Sequence, residues 1–168
     1  MEELRTIFSI IAIIISFGSI YYTRHFWLQS NRPIITAEIV ENSSGVGIAL
    51  FDLVISNSGN RPAINIMIQA EKADIEKIFS KNITETYKKA IYDIFSEKSK
   101  IALLSNGKET KTGFFSFSNT EKSDADILKY EEELPIKITY SDIEGRKFVS
   151  KINILTRASR GFGGGIWE

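Results

Sequence analysis

Few of the side chains can do chemistry. In 168 residues there is one histidine, His25, and no cysteine. That excludes disulfide scaffolds, thiolate zinc sites, nucleophile–base pairs built on Cys or His and most transition-metal sites. Carboxylates, Lys, Tyr and Ser remain. Asp124, Asp126, Asp142 and Glu144 lie in two loops that an antiparallel fold can bring to one end. As hard oxygen donors they suit Ca²⁺, but the spacing lacks the alternating oxygens and central glycine of an EF-hand loop. They read as solvated loop acids, as does Glu131-Glu132-Glu133. Tyr140 stands just before a hairpin turn, where its ring packs and its hydroxyl bonds the backbone. No residue is assigned to catalysis, to a cofactor or to a metal, and the chain reads as non-enzymatic.

Lys plus Arg and Asp plus Glu both number 21, giving a formal charge of zero. No net field gathers nucleic acid or anionic lipid by long-range attraction, and no small-molecule substrate is indicated. At 19.0 kDa the chain suits one folded domain, because two would each struggle to bury a core.

One element is plain from hydropathy. Residues 6–23, TIFSIIAIIISFGSIYYT, form an 18-residue run without a charge. As a helix it spans roughly 27 Å of a hydrocarbon core about 30 Å thick. Ile7, Ile10, Ile11, Ile14 and Ile15 supply the apolar body of this anchor. Tyr21, Tyr22 and Trp27, with Phe26, gather at one end, where amphipathic rings prefer the headgroup level, so the helix is expected to run to about Leu28. A cleaved signal peptide fits poorly: the chain opens Met1-Glu2-Glu3 with only Arg5 to offset the acids, and Ser16-Phe17-Gly18 is a weak cleavage site. A buried soluble helix this apolar would need more protein around it than the rest of the chain provides. Arg24 and Arg32, beside His25, outweigh Arg5, so the C-terminal domain is expected on the cytoplasmic side of a single-pass cell-membrane protein. His25 itself reads as a headgroup-level anchor rather than a pH sensor.

Beyond Asn31 the period changes. Residues 34–40, 47–56 and 63–70 are β-rich and are separated by Asn/Ser/Gly clusters, with SNSGNRPA at 56–63 supplying turn chemistry. In the third run Ile64, Ile66 and Ile68 alternate with Asn65, Met67 and Gln69. Ile75, Phe79, Ile83, Tyr87, Ile91 and Phe95 then recur every four residues, with Ile78, Ala90 and Ile94 beside them. This marks an amphipathic helical insertion near 73–98, either one helix or two with Asn82 capping the second, and its stripe is expected to cover the sheet. Residues 101–104 and 112–118 read as strands joined by an Asn106-Gly107 hairpin, and 134–140 and 146–155 as a terminal hairpin. The sum is a mainly β chain: an N-terminal transmembrane helix at 1–30, an antiparallel immunoglobulin-like β-sandwich at 31–156 and a Gly-rich tail at 157–168. An open barrel is the alternative. The tail carries Phe162, Ile166 and Trp167, which are candidates for contact with the sandwich surface or a partner.

NRPIITAEI at 31–39, NSGNRPAINI at 57–66, FSEKSKIALLSNGK at 95–108, YSDIEGRKF at 140–148 and GFGGGIW at 161–167 occur in a telling order. Together they resemble a group of small bacterial single-pass membrane proteins of unknown function with an immunoglobulin-like domain. The resemblance implies the architecture and supplies no mechanism.

Three functions fit. The first is a membrane-anchored interaction or scaffolding module with a protein partner or self-association. The second is a membrane effector whose sandwich senses a ligand and drives its helices together, as in some defence systems; Ser9, Ala12, Ser16, Gly18 and Ser19 offer small residues for helix contact. The third, an envelope or adhesion module, requires the opposite topology.

Overall fold

The structure, a computed structural model, describes residues 1–45, 48–81, 83–118, 128–129 and 131–156. The chain divides into two compact units, Met1–Arg32 and Pro33–Glu168. The first is a single helix, α1 (Glu2–Ser30), of 29 residues, about 43 Å long at 1.5 Å per residue. It opens with Glu2 and Glu3 in the first turn, where carboxylates oppose the positive end of the helix dipole. It closes on Asn31, whose backbone N–H and side-chain amide both donate to the Trp27 carbonyl. None of its residues is buried.

The second unit is mainly β. Seven strands, β1 (Ile35–Gly45), β2 (Ile48–Asn57), β3 (Ala63–Gln69), β4 (Ile101–Leu104), β5 (Glu109–Ser118), β6 (Glu133–Asp142) and β7 (Lys147–Leu155), form two antiparallel sheets. One has the order β1-β2-β5 and the other β4-β3-β6-β7. Leu53 and Ile55 of the first sheet and Ile66, Ile138 and Ile154 of the second belong to one hydrophobic cluster, which also takes in Ile75, Ile78 and Ile91 from the helical insertion. The core thus draws on both sheets and on the insertion.

The insertion is two helices, α2 (Lys72–Ile78) and α3 (Glu85–Ile94), followed by a 3₁₀ turn at Glu97–Ser99. Thr84, with its hydroxyl accepting from the Tyr87 N–H, caps α3. Asn82 is outside the described residues. The stripe divides: Ile75, Ile78, Phe79, Ile91 and Phe95 are buried, whereas Tyr87 is 50 % exposed and Ala90 is exposed. Phe79 meets Tyr92 edge-on at 5.7 Å, and Phe95 meets Phe114 of β5 at 6.0 Å, so both helices are held by aromatic contacts.

Three local expectations are corrected. Asn106-Gly107 turns the chain, with Gly107 at φ +65°, but joins no hairpin, because β4 pairs with β3 and β5 with β2. The turn's Gly107 N–H donates to the Asn57 carbonyl, and the Asn57 N–H donates to the Lys108 carbonyl; these bonds hold it to the end of β2 and let it cross between sheets. In β1 the polar run after Glu41 continues the strand past an irregularity between Glu41 and Ser43 instead of ending it. In β3 the period-two pattern breaks at Asn65, which adopts φ +54° where the register to β6 shifts; Ala63, Ile66 and Ile68 are buried and Ile64 is only half-buried. The terminal hairpin is present, β6 pairing with β7 from Glu133↔Leu155 to Ser141↔Lys147.

Candidate functional site

The apolar helix comes first. Ile7, Ile10, Ile11, Ile14, Ile15, Tyr21, Tyr22 and Trp27 are all exposed along α1, as are Phe8, Ile13, Phe17 and Ile20. Three of its hydroxyls are turned inward: Thr6 donates to the Glu2 carbonyl, Ser9 to Arg5 and Ser16 to Ala12, each one turn back. Backbone bonds within the helix and hydroxyls bonded to its own carbonyls leave little polar surface to desolvate, which is what a lipid environment demands. At the other end the rings cluster, Tyr21 against Tyr22 at 5.8 Å and stacked on His25 at 6.4 Å, while His25 Nε2 lies 3.0 Å from the Gln29 side-chain nitrogen. The helix is long and apolar enough to cross a membrane.

The carboxylates come next, and among the described residues they do not assemble a cation site. Asp124 and Asp126 lie outside the described residues. Asp142 is buried, contrary to the expectation of a solvated acid. One of its oxygens accepts from the backbone N–H groups of Glu144 and Arg146, at 3.0 and 2.9 Å, and the other from the Arg146 guanidinium at 2.6 Å. Desolvation alone would push this carboxyl up. The backbone N–H and guanidinium of Arg146, helped by the Glu144 N–H, outweigh it and hold the carboxyl below the usual range. Glu144 pairs with Arg61 and reaches Arg146 at 3.5 Å. Asp142 therefore closes the β6–β7 turn, where Gly145 sits at φ +83°. Among the described residues, no three His, Cys, Asp or Glu side chains gather to hold a metal ion.

Asn57 does comparable work in the preceding turn. Its side-chain carbonyl accepts from the Ile34 and Gly59 N–H groups, and its amide donates to the carbonyls of Arg61 and Leu104. Thr156 likewise links the Lys129 and Glu132 backbones. No buried side-chain nitrogen or oxygen among the described residues lacks a partner. Tyr140 fills the role its sequence position suggested: its ring stacks on Phe148 at 5.5 Å and its hydroxyl donates to the Pro33 carbonyl at 3.4 Å.

Sequence reasoning missed an apolar concave feature. A groove of about 650 Å³ runs between α3 and the β2–β5 pair, walled by Leu50, Phe51, Tyr87, Ile91, Ile94 and Phe114. Asp52, buried on the central strand and 3.3 Å from Lys111, forms a polar patch along it. Its size and mostly apolar walls are those of a ligand-sized cleft. The only advance signal was Tyr87 in the stripe, which the four-residue period assigned to the core. A larger depression of about 850 Å³ is lined by Gln69, Glu71, Asp74, Lys137, Lys151 and Asn153 together with Pro135, Ile136 and Ile152, a mixed polar and apolar surface. Phe162, Ile166 and Trp167 lie outside the described residues.

Fold and sites together define a class: a mainly β protein of two antiparallel sheets with a long apolar helix at its N-terminus. Within that class the chain belongs to the family described as "Domain of unknown function (DUF8453)", which matches residues 4–159 and so takes in nearly all of α1 and every strand. No curated protein and no solved structure matches the chain.

Proposed function

We propose that this protein is a single-pass, membrane-anchored, non-enzymatic interaction or scaffolding module. It comprises an anchor at 1–30, a β-sandwich domain at 31–156 and a tail at 157–168. The observation that carries this reading is α1, 29 residues long with no residue buried, in which the Thr6, Ser9 and Ser16 hydroxyls bond to its own carbonyls. The neighbouring unit supports it, because the buried Asp142, Asn57 and Thr156 are engaged in closing turns and strand ends. A tethered domain raises the local concentration of a partner without any catalytic site.

An immunoglobulin-like sandwich is the finer fold we infer. Assigning β1, β2 and β5 to strands A, B and E, and β4, β3, β6 and β7 to C′, C, F and G, gives the sheets ABE and C′CFG of that architecture. The soluble domain is placed on the cytoplasmic side by the Arg24 and Arg32 bias.

The test begins with alkaline carbonate washing of membranes carrying the full chain. Retention is expected, and release into the supernatant overturns the anchor. A pull-down from detergent-solubilised cells, with and without residues 157–168, then reads the interaction; recovery of the same background proteins in both, with a monomeric bait, overturns the scaffolding role. A C-terminal reporter fusion active only outside the cytoplasm would turn the reading to an envelope or adhesion module.

A second reading, a ligand-sensing membrane effector, is favoured by the groove beside Tyr87. It expects overexpression to be toxic and an Ile13→Lys variant to be harmless; growth unaffected by the unaltered chain counts against it.

A further inference from the structure

Strand register places several separate segments at one end of the β-rich unit. β1 begins there, with Ile35 opposite Asn57. The β4–β5 turn joins it through the Asn57–Lys108 backbone bond, and the β6–β7 turn through Ser141↔Lys147 and Ala63↔Asp142. Three large apolar side chains at this end are exposed: Ile34, Leu103, and Ile143, which is 62 % exposed at the tip of the β6–β7 turn. Its carboxylates Asp142 and Glu144 are matched by Arg146 and Arg61, whereas Lys108 and Lys147 are exposed and make no ion pair among the described residues. Glu109, also exposed, is the acid nearest to Lys108 in the chain.

The covalent tether to α1 is short. Asn31 still caps the helix through Trp27, and Pro33 already accepts from the Tyr140 hydroxyl, so only Asn31 and Arg32 separate the last helical residue from the first residue bonded into the β unit. Three residue steps reach about 11 Å at full extension. Arg24 to Ser30 add seven helical residues beyond the uncharged run, about 10 Å at 1.5 Å per residue, comparable with the headgroup layer. With α1 in a bilayer, as proposed above, the start of β1 is within chain reach of the bilayer surface.

We propose that this end of the domain is a second membrane contact: Ile143 enters the headgroup–acyl boundary while Lys108 and Lys147 meet anionic phospholipid headgroups. The proposal deepens the anchored-module reading and rests on it. The zero net charge is no obstacle, because two lysines within reach of the surface act over less than a Debye length and need no long-range field. The contact would fix the orientation of the domain over the membrane and hold its far end, some 33 Å away along the ten residues of β6, toward the aqueous phase.

Because the chain has no cysteine, single-cysteine labelling tests this directly. Full-length Ile143→Cys, carrying an environment-sensitive fluorophore, is reconstituted into phosphatidylcholine vesicles with and without phosphatidylglycerol, with Glu132→Cys at the far end as control. The expected result is a blue-shifted Ile143 label quenched by spin-labelled lipid, more strongly with phosphatidylglycerol, and a Glu132 label that stays aqueous. Replacing Lys108 and Lys147 by Gln is expected to lower the attached-to-free ratio about fivefold for each lysine. Both sites are exposed, and circular dichroism of each variant confirms that it folds. If the protein survives a carbonate wash but the Ile143 label reports water in both lipids, this contact is overturned and the anchor stands. Release by carbonate removes the anchor and the contact together.

Discussion

α1 and the β-rich unit break the inside–outside rule in opposite ways. The helix exposes large apolar side chains on every side, while the β unit buries two aspartates, an asparagine and a threonine. The β unit answers each with a partner: Asn57 and Thr156 bond backbone amides and carbonyls from distant segments, Asp142 takes two backbone N–H groups and the Arg146 guanidinium, and Asp52 faces Lys111, so protein groups replace the water displaced. The helix has no such answer within its own unit. Its backbone bonds within the helix, and Thr6, Ser9 and Ser16 bond to its own carbonyls, but its apolar surface needs a different solvent. A polar intrusion into a core is a problem of a few atoms; an apolar surface of this length is a problem of environment.

The largest effect expected from breaking this contrast is at α1. Lysine at both Ile10 and Ile14 is expected to raise the cost of insertion by about 6 kcal/mol and to abolish carbonate-resistant membrane association. Asn57→Ala strikes the opposite case. It leaves the Ile34 and Gly59 N–H groups and the Arg61 and Leu104 carbonyls without their shared partner, and a loss of about 3–4 kcal/mol in urea unfolding is expected. Asp142→Asn should cost about 2–3 kcal/mol near neutral pH. Since folding holds this carboxyl below its ordinary value, its stabilisation is complete above the unfolded pKa, about 3.9, and is lost as pH falls through the lower folded value. The gap between parent and Asp142→Asn in unfolding midpoint is therefore expected to stay constant down to about pH 5 and to narrow below about pH 4. The smallest effect is at the α3 cap: Thr84→Ala removes the bond from the Tyr87 N–H and should cost about 1 kcal/mol, read by thermal unfolding.

Legibility followed the range of the interaction. The apolar run of α1, the β-rich runs of β6 and β7 and the turn between them are local, and each was visible in the residues themselves. The sheet membership of β4 and β5 was not, because Asn106-Gly107 makes a good turn whether the flanking strands pair with each other or part. What decides is Asn57, some fifty residues earlier, and no local pattern announces that bond. The same holds for Asp142. An acid in a Ser-Asp-Ile-Glu-Gly turn reads as solvated until Arg146 is seen to fold back on it. The groove escaped because helical spacing assigns Tyr87 to a face but does not say where that face runs out of sheet to cover. The candidate site was legible in its apolar helix and illegible in its concave part.

The Asn57 amide also constrains the order of assembly. Its carbonyl oxygen looks back 23 residues to Ile34, and its nitrogen looks forward 47 residues to Leu104. While the chain is being synthesised, the hydrophobic N-terminus is available from the outset, but this side chain has no complete set of partners until β4 has emerged. Contacts so distant in sequence form late, because the intervening loop must be closed first. On the anchored reading proposed above, the helix can therefore engage a bilayer well before the β unit locks, and newly made chains would have to finish folding already moored to a surface.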